Sequence, residues 1–340
     1  MDDLRGSIMK REFTELARES STLVELLRLR ATVQADLVAF TFLHDDGNDI
    51  SLTYRELDQH AQRIATLLQQ RATPGERALL LYPPGLDFIT AFFGCLYAGI
   101  VAVPTYPPHS LQKNRALSKI QAILSDAQPS LVLTTTSLLP VVAKLHLHLV
   151  DFQRLILLDT TQNIGALSLI WQQPVLSRET LALLQYTSGS TATPKGVMVS
   201  HGNLLHNQSL MHSAFSSNEP SILVGWLPLY HDMGLIGNVL QPLYRGKPSA
   251  LMSPVAFLQR PVRWLQLISR YPSVASGGPN FAYDLCVDRI PPEQRNTLNL
   301  SGWCFAFSGA EPIRFQTLER FTQAFACAGF DQKAFYPVYG

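Results

Sequence analysis

The sequence predicts an α/β fold of two lobes, with mainly parallel sheets sandwiched by helices. Three observations predict it. The chain has 340 residues, 46% of them hydrophobic and 16% charged, enough apolar material to bury a large core and to divide in two. Short apolar runs such as "RALLLY", "SLVLTT" and "RLILLDT" alternate with segments of helical period, the pattern of strands joined by crossover helices. Three loops of glycine or small residues each follow an apolar run, and in a doubly wound sheet such loops converge on one ligand crevice.

The elements follow in order. Residues 1–20 read as a tail, 21–180 as the first lobe and 181–340 as the second. Thr53 and Glu56 have capping-box spacing, and Leu57, Ala61, Ile64 and Leu68 continue a helix from Tyr54 to about Gln70. After the turn at Pro74 and Gly75, "RALLLY" is a buried strand closed by Pro83, Pro84 and Gly85. The segment from Phe88 to Pro108 carries no charge over about the length a bilayer core requires. Gly94, Gly99 and three prolines interrupt it, so it reads as a buried helix of about three turns after Asp87, then a buried strand from Ile100 to Val103. "ALSKIQAILSDAQ" is helical, and Thr161 to Thr180 is polar and irregular, which places the lobe boundary there.

Beyond the boundary, "LALLQYTSG" reads as a strand into a loop, "HGNLLHNQSLMHSAF" as a helix and "VGWLPLYHDMGLIG" as an aromatic turn region. "VRWLQLISRYP" is a helix, "SVASGGPNFAYDLC" strand, loop and helix, and "GWCFAFSGAEPI" strand and loop.

A formal charge of +1 supplies no broad basic field, which argues against nucleic acid as the main partner. Cys95, Cys286, Cys304 and Cys327 show no C-x-x-C spacing, and the N-terminus "MDDLRGSIMKREF" lacks an apolar h-region. Reduced thiols and a cytoplasmic location are expected.

"LQYTSGSTATPKGVMVSHGN" gathers five hydroxyls (Thr187, Ser188, Ser190, Thr191, Thr193) around Lys195. It is not a Walker loop: Pro194 stands where the glycine before the lysine belongs, and Gly196 where the hydroxyl belongs. Gly189 permits backbone N–H groups to converge on an anion, and Lys195 adds a point charge. On its own chemistry the loop reads equally as a phosphate cradle or a solvated turn.

His231 beside Asp232 in "LPLYHDMG" reads either as a structural or exposed histidine, or as a polar tip at the mouth of an apolar pocket, able to meet a carboxylate. Gly277, Gly278 and Pro279 form either a close-approach turn for a ligand or a plain helix start. In "FSGAEP", Glu311 either lines a site or favours a helix dipole. His146 and His148 in "KLHLHLV" share one strand face, without a third ligand for a metal. Asn207 heads a glycosylation triplet, discounted for a cytosolic chain.

Taken in order, "YTSGSTATPKGVMVSHGNL", "WLPLYHDMGLIG", "SGGPNFAYDLC", "FSGAEP" and the terminal "YPVYG" resemble the signature loops of the adenylate-forming superfamily. "AVPTYPP", "LPLYHDMGLIG" and "SGGPNFAYDLC" are most similar to the fatty acyl-AMP ligases. The resemblance runs from about Ser51 to Gly340.

It implies the N-terminal domain fold of those enzymes, with the active crevice between two lobes. It also implies ATP-dependent activation of a fatty acid to acyl-adenylate with release of pyrophosphate, and transfer to the phosphopantetheine thiol of an acyl carrier protein, as in lipid, polyketide or lipopeptide synthesis. ATP and Mg²⁺ are the implied cofactors. Thr187, Ser188, Gly189, Ser190, Thr191 and Lys195 would hold the β- and γ-phosphates, with Thr191 also on the metal. His231 would sit where carboxylate meets α-phosphate, and it and Lys195 are the implied catalytic residues. Gly309, Ala310, Glu311, Pro312 and Gly340 would line the adenine site, Tyr339 would stack on the ring, and Gly278 and Pro279 would border the acyl tunnel.

Ala192 stands where the superfamily usually has glycine. The sequence stops at Gly340, inside the tyrosine-glycine motif, before the family's Mg²⁺ glutamate, ribose aspartate and small C-terminal domain with its adenylation lysine, so the chain alone is expected to form acyl-adenylate poorly. Competing readings are a fatty acyl-CoA ligase, a peptide-synthetase adenylation domain, or a non-catalytic nucleotide- or acyl-binding fragment.

Overall fold

A computed structural model describes residues 17–45, 47–107, 114–162, 170–187, 194–214 and 220–338. The chain divides into two units, one of residues 1–36 and 53–209 and one of 37–52 and 210–340. Both are built on sheets flanked by helices, and the strand pairings are mainly parallel.

Among the described residues the first unit carries six strands: β3 (Arg77–Leu81), β4 (Val101–Thr105), β5 (Leu131–Thr134), β6 (Ile156–Asp159), β7 (Leu181–Thr187) and β8 (Lys195–Ser200). They lie in the order β6-β5-β3-β4-β7-β8, with β7 and β8 antiparallel. β4 and β5 are buried along their whole length, as strands covered on both faces must be. The capping box forms: the Glu56 N–H donates to Thr53 Oγ1 at 3.2 Å, the Thr53 N–H donates to Glu56 Oε2 at 2.8 Å, and the helix runs Tyr54–Gln69. The uncharged segment folds as a helix, Leu86–Ala98, buried at every position from Phe88 onward. Gly99, at φ +71°, ends it and turns the chain into β4. Among the described residues, no helix is long and apolar enough to cross a membrane.

Among the described residues the second unit's sheet has seven strands: β1 (Val38–Leu43), β2 (Ile50–Thr53), β9 (Ile222–Gly225), β10 (Ser249–Met252), β11 (Val274–Gly278), β12 (Trp303–Ser308) and β13 (Phe335–Pro337), in the order β13-β12-β11-β9-β10-β1-β2. Its core is aromatic. Trp264 is fully buried and meets Trp303 edge-on at 5.2 Å, and Phe257 stacks on Trp226 at 4.0 Å, contacts that add to the area these rings bury.

Several expectations are corrected. The division falls near Ser209, not within 161–180, because β7 pairs with β4 and carries its hairpin partner into the first sheet. Residues 37–52 belong to the second unit, since β1 runs parallel to β10. "KLHLHLV" is not a strand: Leu145–His148 is a short helix in which Leu145 is buried, and the leucine-histidine alternation imitated period two over a run too short to distinguish the two. "MGLIGNVL" is not a turn but a π-helix, Met233–Leu240, running directly into the helix Gln241–Arg245.

Candidate functional site

The hydroxyl-rich stretch lies in sequence between two strands, β7 and β8, that pair antiparallel. Thr187, the last residue of β7, lies opposite Lys195, the first of β8, and both are exposed. Antiparallel pairing thus holds the lysine at the base of the loop. Ser188, Gly189, Ser190 and Thr191 lie outside the described residues.

Gly196 has a packing reason that the sequence reading, concerned with the Walker order, missed. It lies across from Tyr186, and a Cβ there would come within 2.8 Å of the ring Cζ. The ring lies over the glycine and its hydroxyl donates to Asp126 Oδ2 at 2.5 Å, reaching the helix Asn114–Ala127. Burial and this hydrogen bond push the Tyr186 phenol up from its ordinary value. Tyr186 and Asp126 thereby fix the hairpin beside Lys195; the cue was an aromatic residue one step before Thr187.

Four ligand-loop candidates fall in the second unit, at the carboxyl ends of parallel strands. After β9, Trp226 begins the segment that carries His231; Gly278 ends β11; Gly309 follows β12; and 338–340 follow β13. The order β13-β12-β11-β9 makes these strands neighbours, and Gly278 is in register with Ser308, which is in register with Pro337. This is where open α/β sheets bind ligands. Tyr339 and Gly340 lie outside the described residues.

His231 sits in a tight bend before the π-helix. Its N–H donates to the Pro228 carbonyl at 3.1 Å, and its own carbonyl accepts from the Leu235 N–H at 2.8 Å. Gly234 makes the bend possible, because a Cβ there would lie 2.0 Å from the Pro228 oxygen. The imidazole is more than half exposed, and its Nδ1 meets Asp232 Oδ1 at 2.5 Å. Asp232 also accepts the Met233 N–H at 2.6 Å, and the hydrogen bond from His231 holds its carboxyl below the ordinary range. Adjacent in sequence, the two side chains meet because the π-helix begins at Met233. Asp232 therefore fixes the ring's orientation, and π-turns of this kind recur at functional sites.

Gly278 is buried against the Trp226 indole, with Cζ2 only 2.6 Å from where a Cβ would stand, and Pro279 follows at the start of the helix Asn280–Arg289. Gly309 is buried, whereas Ala310, Glu311 and Pro312 are exposed; Ala310 adopts φ +70°, a left-handed turn uncommon for a residue with a side chain. Among the described residues no group of three or more His, Cys, Asp or Glu could hold a metal.

The AMP-binding enzyme family model matches residues 27–340. JamA of Moorena producens, a medium-chain-fatty-acid–[acyl-carrier-protein] ligase, is 47% identical over 324 residues, covering 95% of this chain and 55% of JamA. FadD21 of Mycobacterium tuberculosis, a putative fatty-acid–CoA ligase, is 37% identical over 339 residues, covering 94% of this chain and 56% of FadD21. A solved fatty acyl-adenylate ligase from L. pneumophila, in complex with acyl adenylate and pyrophosphate, is 44% identical with a TM-score of 0.86, covering 95% of this chain and 56% of that one. The chain thus spans about half the length of the curated relatives it matches. With the family's sequence matched from residue 27 to the last residue, the chain belongs to the AMP-binding enzymes.

Proposed function

We propose that the chain is the ATP- and fatty-acid-binding part of a fatty acyl-AMP ligase. An oxygen of the fatty acid's carboxylate attacks the α-phosphorus of ATP, the bond to the bridging oxygen of pyrophosphate breaks, and the products are the mixed acyl-phosphate anhydride and pyrophosphate. The thiol of an acyl carrier protein then takes the acyl carbon and AMP leaves. The observation that carries this reading is the 44% identity, over 95% of this chain, to a structure holding acyl adenylate and pyrophosphate.

The work asked of the chain's own residues is positional and electrostatic. The hairpin tip, Thr187 through Thr191 with Lys195, gives the leaving pyrophosphate hydroxyl and N–H donors and one positive charge. His231, its Nδ1 held by Asp232, turns its ring toward the place where carboxylate and α-phosphate meet. Gly309, Ala310, Glu311 and Pro312 receive the adenine, with Tyr339 and Gly340 beyond them, and Gly278 and Pro279 border the acyl chain beside Trp226. Thr191, with its hard hydroxyl oxygen, would hold Mg²⁺, which would neutralise phosphate charge. A cytoplasmic location suits an acyl carrier partner.

The second reading, transfer to coenzyme A, is favoured by the likeness to FadD21, a putative fatty-acid–CoA ligase. The test of the common first step is competition binding to this chain. A non-hydrolysable medium-chain acyl-adenylate analogue should displace both AMP and a medium-chain fatty acid, and displacement of neither overturns the reading.

A further inference from the structure

The side chain of Asn280 does not serve its own helix. An asparagine at a helix start ordinarily accepts from N–H groups of the following turn. Asn280 is 1% exposed, and both ends of its amide are spent on a segment more than thirty residues away: Nδ2–H donates to the Pro312 carbonyl at 2.9 Å, and Oδ1 accepts from the Arg314 N–H at 3.0 Å. One donor and one acceptor face one carbonyl and one N–H, a match that a carboxylate, with two acceptors and no donor, cannot make.

These bonds fix one end of the turn at Gly309–Pro312. Its other end is fixed separately. The Val338 N–H donates to the Ser308 carbonyl at 2.8 Å, the Tyr283 hydroxyl donates to the Phe307 carbonyl at 2.7 Å, and the Val338 carbonyl lies 2.6 Å from where a Gly309 Cβ would stand. Between the two anchors, Ala310 is exposed at φ +70°, a conformation that persists only while its surroundings hold it. Asn280 directly follows Gly277, Gly278 and Pro279, so one residue joins the loop after β11 to the loop after β12.

We propose that Asn280 is a positioning residue that holds the Gly309–Pro312 turn in the shape that receives the adenine of the nucleotide. The inference rests on the adenine reading of that turn given under the proposed function. Loss of the amide frees the Pro312 carbonyl and the Arg314 N–H together and lets Ala310 relax, which displaces the turn without touching the Lys195 hairpin.

The test uses Asn280→Ala and Asn280→Asp in the 340-residue chain, read by AMP titration, pyrophosphate titration and hydrogen exchange at the Arg314 amide. Both substitutions should weaken AMP at least about tenfold, as displaced binding groups do, and leave pyrophosphate affinity within about twofold. Arg314 should exchange fast in the alanine variant and stay protected in the aspartate variant, which keeps the acceptor and loses the donor. A merely structural role would lower thermal stability and the fraction of protein able to bind, without changing the affinity of what remains folded. AMP affinity within twofold of the unsubstituted chain in both variants overturns the proposal alone. No AMP binding by the unsubstituted chain overturns the adenine reading and the proposal with it. An unprotected Arg314 amide in the unsubstituted chain overturns the tie without recourse to any variant.

Discussion

Replacing Gly196 with alanine tests how the phosphate hairpin is built. The new methyl would lie 2.8 Å from Tyr186 Cζ, 2.9 Å from its hydroxyl oxygen and 3.1 Å from Cε2, whereas carbons pack at about 3.5–4.0 Å. The ring must therefore retreat by roughly 0.7 Å or more. It cannot do so freely, because Tyr186 is 8% exposed and its hydroxyl is held by Asp126 at 2.5 Å. Overpacking of this kind costs about 1–3 kcal/mol, and loss of a hydrogen bond to a carboxylate costs about 1.5–3 kcal/mol. With partial relaxation, a destabilisation of about 3 kcal/mol is expected, read by urea unfolding. In a Tyr186→Leu background the same substitution should be nearly neutral, so the double-mutant cycle should show strong coupling. A cost below about 0.5 kcal/mol for Gly196→Ala, or no coupling to position 186, would refute the account of this glycine.

Gly234→Ala should be harsher, because its methyl would meet the backbone oxygen of Pro228 at 2.0 Å instead of a side chain; about 4 kcal/mol or more is expected, and a loss under 1 kcal/mol by urea unfolding would contradict the bend drawn around His231. His201 gives a pH prediction. It is buried, its Nδ1 accepts the Leu23 N–H at 3.2 Å, and burial pushes it down to about 4. The unfolded chain, with a histidine near 6.5, takes up a proton that the native chain refuses, so stability is full above about pH 6.5 and falls as pH drops toward about 4. The fall amounts to about 3 kcal/mol. Urea midpoints measured against pH should show it, and His201→Gln should flatten it; identical slopes in the two proteins would count against the assignment.

Where local chemistry alone decides an element, the sequence was enough. Thr53 and Glu56 carry their cap in their own side chains, and the uncharged segment after Asp87 could only be buried. Loops of small residues after apolar strands were legible for the same reason: Gly278 ends, and Gly309 directly follows, a run that pairs in parallel with its neighbours. What was not legible depends on distant parts of the chain. β1 gives no sign that it pairs with a strand formed more than two hundred residues later, carrying β2 into that sheet with it. "KGVMVS" reads as a strand only once β7 lies beside it. The π-helix breaks the 3.6-residue period that would have announced it, and Gly234 and Gly237 disguise it as a turn. At the candidate site, Lys195 and His231 declare themselves by residue type. Tyr186, Asp126, Asp232 and Asn280 act by holding other groups, which only their contacts reveal.

The claim that the hairpin at Lys195 receives the β- and γ-phosphates of ATP has one direct test, calorimetric titration of the unsubstituted chain and of Lys195→Ala with ATP and with AMP in parallel. Lys195 is exposed, so the substitution should leave folding intact. A charge-assisted contact contributes about 1.5–3 kcal/mol, so ATP affinity should fall about ten- to a hundredfold while AMP, which lacks those phosphates, binds as before. Equal losses for the two nucleotides, or no loss for either, would contradict the account.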